Sequence, residues 1–261
     1  MVERESVRTA HDGGSGGSAT PASAQGPLVG ILGGMGPAAT ADFYSKLIAA
    51  TPASSDQEHL RVMIWADPTI PDRSRAIVAG GEDPTPKLAE GVRKLKEAGA
   101  AFFVAACNGS HAFLPRVLQE VDLECLSMIE VTAEHISAQN VPTAGVLASD
   151  ATITAELYQQ SLRAQGVEPI LPEPEDQRVV MDTIYAVKAG GPGPQLRAEL
   201  HQVVEHLIAK GADVIVAGCT EVPLVLTSEE LSRPLIDPAT VLVDRVIEEA
   251  ARRTPSAETV G

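Results

Sequence analysis

Residues 95–107, LKEAGAAFFVAAC, and residues 207–219, LIAKGADVIVAGC, carry the same letters at the same places. Leu, Gly, Ala, Val, Ala and Cys recur in that order at an offset of 112. Each stretch reads as the end of a helix closed by glycine, followed by a buried strand that stops at a cysteine. The match continues outward. AIVAGG (76–81) pairs with AVKAGG (186–191) at an offset of 110, TADFY (40–44) with TAELY (154–158) at 114, and GIL (30–32) with GVL (145–147) at 115. Any one of these strings recurs by chance in a chain rich in Ala and Gly. Four in one order, with offsets between 110 and 115, mark two copies of one unit.

The unit is α/β. LVGIL (28–32), RVMIWAD (61–67), AAFFVAAC (100–107), TAGVLAS (143–149) and ADVIVAGC (212–219) read as buried strands. Between them, ATADFYSKLIAAT (39–51), PKLAEGVRKLKEAG (86–99), ITAELYQQSLRAQG (153–166) and PQLRAELHQVVEHLIAKG (194–211) have apolar residues three and four apart. Alternating helices and strands predict mostly parallel sheets.

Composition narrows the function classes. The 261 residues hold 35 acidic and 20 basic side chains, a net charge of −15, which disfavours nucleic acid and anionic membrane surfaces as partners. Aromatic residues make up only 3%, so base-stacking platforms are not expected. Three cysteines, Cys107, Cys125 and Cys219, without CxxC spacing, fit neither a disulfide framework nor a thiolate zinc cage. The six histidines form no cluster, and no metal site is expected. With no apolar run of about 18 residues and no signal-peptide pattern, the expected location is cytoplasmic. Residues 1–26, dominated by Gly, Ser, Ala, Thr and Pro, are expected to form a disordered tail.

The two repeated cysteines carry the chemistry. In open α/β sheets the carboxyl ends of strands border the ligand crevice. Two like units about a pseudo-twofold axis then present Cys107 and Cys219 to one cleft from opposite sides. A thiol and a thiolate so placed can remove a proton from one face of a carbon and return one to the other. Cys125 has no counterpart in the repeat and is assigned to packing. Asn108-Gly109-Ser110-His111 follows the first cysteine and Thr220-Glu221-Val222-Pro223 the second. Each is expected to open a helix whose free N–H groups, with the Asn108, Ser110 and Thr220 side chains, hold a carboxylate or simply cap the helix. His111 either tunes Cys107 or packs. GGMGP (33–37) lacks both nucleotide-loop spacings, and its glycines allow backbone close to a small ligand. Arg73 and Lys188 stand beside the two AxxAGG segments as candidate cations.

GILGGMGPAATADFY, DPTIPDRSRAI, GEDPTP, AACNGSHAF, AGCTEVPLVL and PLIDP together resemble the aspartate/glutamate racemase family, in particular its aspartate branch, over about residues 28–250. The resemblance implies two pseudo-symmetric Rossmann-like (flavodoxin-like) domains with the active site between them. It implies no cofactor, a free amino acid as substrate and a homodimer. The domains expected are 27–133 plus 237–255, and 134–236. By position, Cys107 and Cys219 match the two acid/base thiols, Asn108 and Thr220 the holders of the α-carboxylate, and Met35 and Gly36 the pocket loop. Arg73 and Lys188 match the cations for a side-chain carboxylate. Three positions depart from the family pattern. Gly109 replaces a hydroxyl that would hold substrate, with Ser110 its possible substitute; Asp67 stands where Asn is common; Ala151 replaces a Gly. The function expected is cofactor-independent racemisation or epimerisation, aspartate first. The alternatives are a related isomerase, lyase or cyclase acting on a dicarboxylic acid, or a non-catalytic amino-acid-binding protein.

Overall fold

The computed structural model describes residues 26–254; the tail expected over 1–26 lies outside that range but for its last residue. The repeated Leu-x-x-x-Gly-Ala has a local cause. Helix α3 (Thr85–Glu97) ends with Gly99 at φ +87° and helix α9 (Pro194–Ala209) with Gly211 at φ +101°. Ala100 N–H donates to the Leu95 carbonyl at 3.0 Å and Gly99 N–H to that of Lys96 at 2.9 Å. Ala212 and Gly211 repeat this on Leu207 and Ile208, at 3.1 and 2.9 Å. This is the Schellman closure, whose left-handed residue is favoured as glycine because a Cβ there is strained.

Each closed helix feeds the same strand position. The first sheet holds β1 (Leu28–Gly33), β2 (Arg61–Ala66), β3 (Phe102–Ala105) and β4 (Cys125–Leu126) in the order β2-β1-β3-β4. The second holds β5 (Thr143–Val146), β6 (Glu168–Ile170), β7 (Val214–Val216) and β8 (Leu235–Ile236) in the order β6-β5-β7-β8. Every pairing is parallel. The two orders are identical and follow the flavodoxin-like start 2-1-3-4, in which ligands bind where the chain switches sides between the first and third strands.

Two expectations need correction. RVMIWAD is not a buried strand: β2 lies at the sheet edge and is only half covered. The helix expected over 153–166 is two, α6 (Asp150–Thr154) and α7 (Leu157–Ala164), separated at Glu156, whose φ is +52°. The remaining helices are α1 (Pro37–Ala50), α2 (Arg73–Val78), α4 (Leu114–Glu120), α5 (Met128–Ala138), α8 (Pro174–Lys188) and α10 (Pro238–Arg253).

Helix α10 follows β8 yet packs on the first sheet, where Leu242, Val243 and Val246 meet Val29, Ile31 and Phe43. Helix α5 follows β4 and serves both sheets. Its Met128 and Val131 join that first core, while Ile129, Ala133 and Ile136 join Val146, Tyr158 and Leu162 of the second. The expected division at 133/134 falls inside this helix.

Candidate active site

The chain leaves β3 and β7 into turns that carry the repeated cysteines to one narrow cleft. Cys107, Asn108 and Gly109 come from the first unit, and Cys219, Thr220 and Glu221 from the second. Met35 enters after β1 and Ser149 after β5, so each unit offers its strand-1 and strand-3 ends to the cleft. Asp72, Arg73 and Ser74 at the start of α2 and Met181, Ile184, Tyr185 and Lys188 of α8 also line it. The helices expected after the cysteines are only short 3-10 turns, Asn108–Ala112 and Val222–Leu224. Neither is long enough to supply a strong helix dipole.

The two thiols sit in unlike surroundings. Cys219 is 8% exposed, and its Sγ donates to Glu221 Oε2 at 2.9 Å. Burial first, and then the neighbouring Glu221 carboxylate, push this thiol well above the ordinary cysteine value. Cys107, 7% exposed, has no such contact among the described residues; the residue at the repeat position of Glu221 is Gly109. The Thr220 hydroxyl donates to Glu221 Oε2 at 3.3 Å. Lys188 lines the same wall with its ammonium 5.8 Å from the Tyr185 ring centroid. Burial draws this ammonium down, but Glu221 and then the cysteines draw it up, and its pKa lies above the ordinary lysine value.

Several buried donors are held ready. Asn108 is 2% exposed; its Oδ1 accepts from the Tyr158 hydroxyl at 2.6 Å, and its Nδ2 has no partner among the described residues. Arg73 donates to the carbonyls of Pro71 at 2.9 Å, Met35 at 3.0 Å and Ile70 at 3.3 Å, and its Nε has no partner among the described residues. An unpaired buried donor is costly unless a ligand takes it up.

Other expected site residues lie elsewhere or act otherwise. Ser110 turns its hydroxyl onto the Cys107 carbonyl at 2.7 Å, so it does not replace the hydroxyl missing at Gly109. A Cβ built on Gly109 would meet Ala151 Cβ at 3.4 Å and Ser149 Oγ at 3.5 Å, ordinary contacts that leave room for a small side chain. Asp67 is not in the cleft wall; its carboxylate accepts the Thr69 N–H and hydroxyl at 2.8 and 2.6 Å, and these bonds hold it below the usual carboxylate range. Gly36 is next to the cleft, where a Cβ would come 3.5 Å from Glu221 Oε1. His111 packs as a strut. Its Nε2 accepts the Met128 N–H at 3.2 Å, its Nδ1 lies 3.1 Å from the Cys107 and Asn108 carbonyls, and burial lowers its pKa to about 4. Glu221 is the cleft residue in contact with a cysteine that composition and repeat do not single out. The four residues after the cysteines differ at every position between the two stretches, and Glu221 is the one place there where the second copy puts a carboxylate.

Two like parallel α/β units each carry a cysteine just past their third strand, and both cysteines line one cleft. The Asp/Glu/hydantoin racemase family matches residues 32–246, and the chain belongs to it. It is therefore an isomerase of the cofactor-independent amino-acid racemase kind. The broad specificity amino-acid racemase RacX of Bacillus subtilis is 28% identical over 224 residues, 84% of this chain and 96% of that protein. The aspartate racemase of Picrophilus torridus is 30% identical, covers 87% of this chain and 95% of its own, and superposes with a TM-score of 0.79. An aspartate racemase homologue from Pyrococcus horikoshii, 23% identical, covers 86% of this chain and 99% of its own and shares the fold with a TM-score of 0.69.

Proposed function

We propose that the protein racemises a free amino acid through Cys107 and Cys219, with aspartate as its first substrate. The observation that carries this reading is the single cleft holding both repeated thiols, with unpartnered donors beside them and two cations at its side. At rest Cys219 keeps its proton, because burial and Glu221 both oppose a second negative charge there. This makes Cys219 the acid and leaves the base role to Cys107 in one direction. In the reverse direction Glu221 accepts the Cys219 proton along the bond they already share.

An α-proton next to an ionised carboxylate is weakly acidic, so the enediolate-like state needs donors fixed in advance. Asn108 Nδ2 takes the α-carboxylate in this scheme, joined by the Thr220 hydroxyl once that hydroxyl turns away from Glu221 Oε2. Arg73 and Lys188 take the side-chain carboxylate. A broader substrate range is the second reading. Arg73 already donates to three carbonyls, and the charge of Lys188 is set against Glu221, so the pull on a second carboxylate is softened.

The test is incubation of the purified protein with a panel of L-amino acids, followed by chiral chromatography. Aspartate turning over with the highest kcat/KM supports the main reading. Neutral amino acids surpassing it establish the second, and no D-isomer from any substrate overturns both.

A further inference from the structure

The internal repeat places Tyr44 and Tyr158 at equivalent positions, but they do different things. Tyr44 lies within the unbroken helix α1 and is 37% exposed. Tyr158 is fully buried. The chain break at Glu156, where a non-glycine residue adopts a left-handed conformation that costs about 1–2 kcal/mol, restarts the helix as α7 just before this tyrosine. From there Tyr158 spans both thiol-bearing turns. Its ring lies 3.0 Å from where a Cβ on Gly218 would stand, immediately before Cys219. Its hydroxyl donates to Asn108 Oδ1, immediately after Cys107, at 2.6 Å.

An Asn side chain presents an acceptor on one side and two donors on the other. By occupying the acceptor, the phenol fixes which way the amide faces, and the unpartnered Nδ2 is the half left for the cleft. Burial pushes the Tyr158 pKa up, so the phenol remains a donor at all ordinary pH values. Thr220, the repeat counterpart of Asn108, is instead held by Glu221.

We infer that Tyr158 is a positioning residue that locks the Asn108 amide, from across the two units, with its donor side toward the substrate carboxylate. The inference rests on the two-thiol racemase reading for the identity of that ligand, while the amide orientation stands without it. Tyr158→Phe removes one oxygen and keeps the ring. It is expected to lower kcat/KM about tenfold, the worth of a buried hydrogen bond. In an Asn108→Ala background the same change is expected to do nothing further. A purely structural role would produce the same loss in both backgrounds.

Asn108→Asp keeps the acceptor but removes the donor; a drop larger than that of Tyr158→Phe is expected, and full activity overturns the inference. The Asn108 side-chain amide signals in a ¹⁵N spectrum report the contact without turnover. They are expected to shift on Tyr158→Phe, and unmoved signals overturn the inference even if the wild type racemises nothing. Racemisation by the wild type with unchanged kinetics in Tyr158→Phe overturns it while leaving the function intact.

Discussion

Glu221 makes the two halves of the cleft chemically unequal. The repeat matches Cys107 to Cys219 and Asn108 to Thr220, but it sets Gly109 against Glu221. A carboxylate 2.9 Å from the Cys219 thiol, with no such contact to Cys107 among the described residues, favours the protonated form of Cys219 and so the acid role proposed for it. Because the Glu221 charge raises the Cys219 pKa, Glu221→Gln should lower it. The alkaline limb of kcat/KM, where Cys219 loses its proton, should then move down by on the order of one pH unit. A pH–rate profile with thiolate absorbance at 240 nm checks this; a limb that stays or rises contradicts it. The cysteines were legible because a repeat picks out equivalent residues. Glu221 was not, because a residue that departs from a repeat looks like ordinary divergence until its side chain is seen to turn inward.

At the scale of elements, close approach at the strand ends holds the site together. Gly218 sits between β7 and Cys219, where a Cβ would lie 2.9 Å from Ala148 Cβ and 3.0 Å from the Tyr158 ring. Gly218→Ala should therefore destabilise the fold by about 1–3 kcal/mol through overpacking, read as a lower Tm. It should also lower activity by displacing Tyr158; an unchanged Tm contradicts the packing account. The repeated strands and Gly-closed helices could be read from periodicity. Strands β4 and β8, two residues each, are too short for any period to register. The break at Glu156 was also hidden, since Glu is a good helix former and nothing local announces a left-handed turn there. Tertiary packing of Tyr158 wins over local preference.

Across the whole molecule, two identical strand orders bring two thiols to one cleft, while a net charge of −15 surrounds a site that gathers Arg73 and Lys188. The space among the lining residues is about 20 Å³, room for no more than one water. In the two-thiol scheme an amino acid is expected to enter by displacing the lining residues, and their return would exclude water from the reacting centre. The most direct test of opposed thiols is α-proton exchange in D₂O, followed by NMR for L- and D-aspartate separately, in wild type, Cys107→Ala and Cys219→Ala. The wild type should take up deuterium from either isomer and form the other. Each single-thiol variant should form no opposite isomer, and any residual exchange should be confined to one enantiomer, a different one in each variant. Racemisation at the wild-type rate by either variant would contradict the two-thiol account.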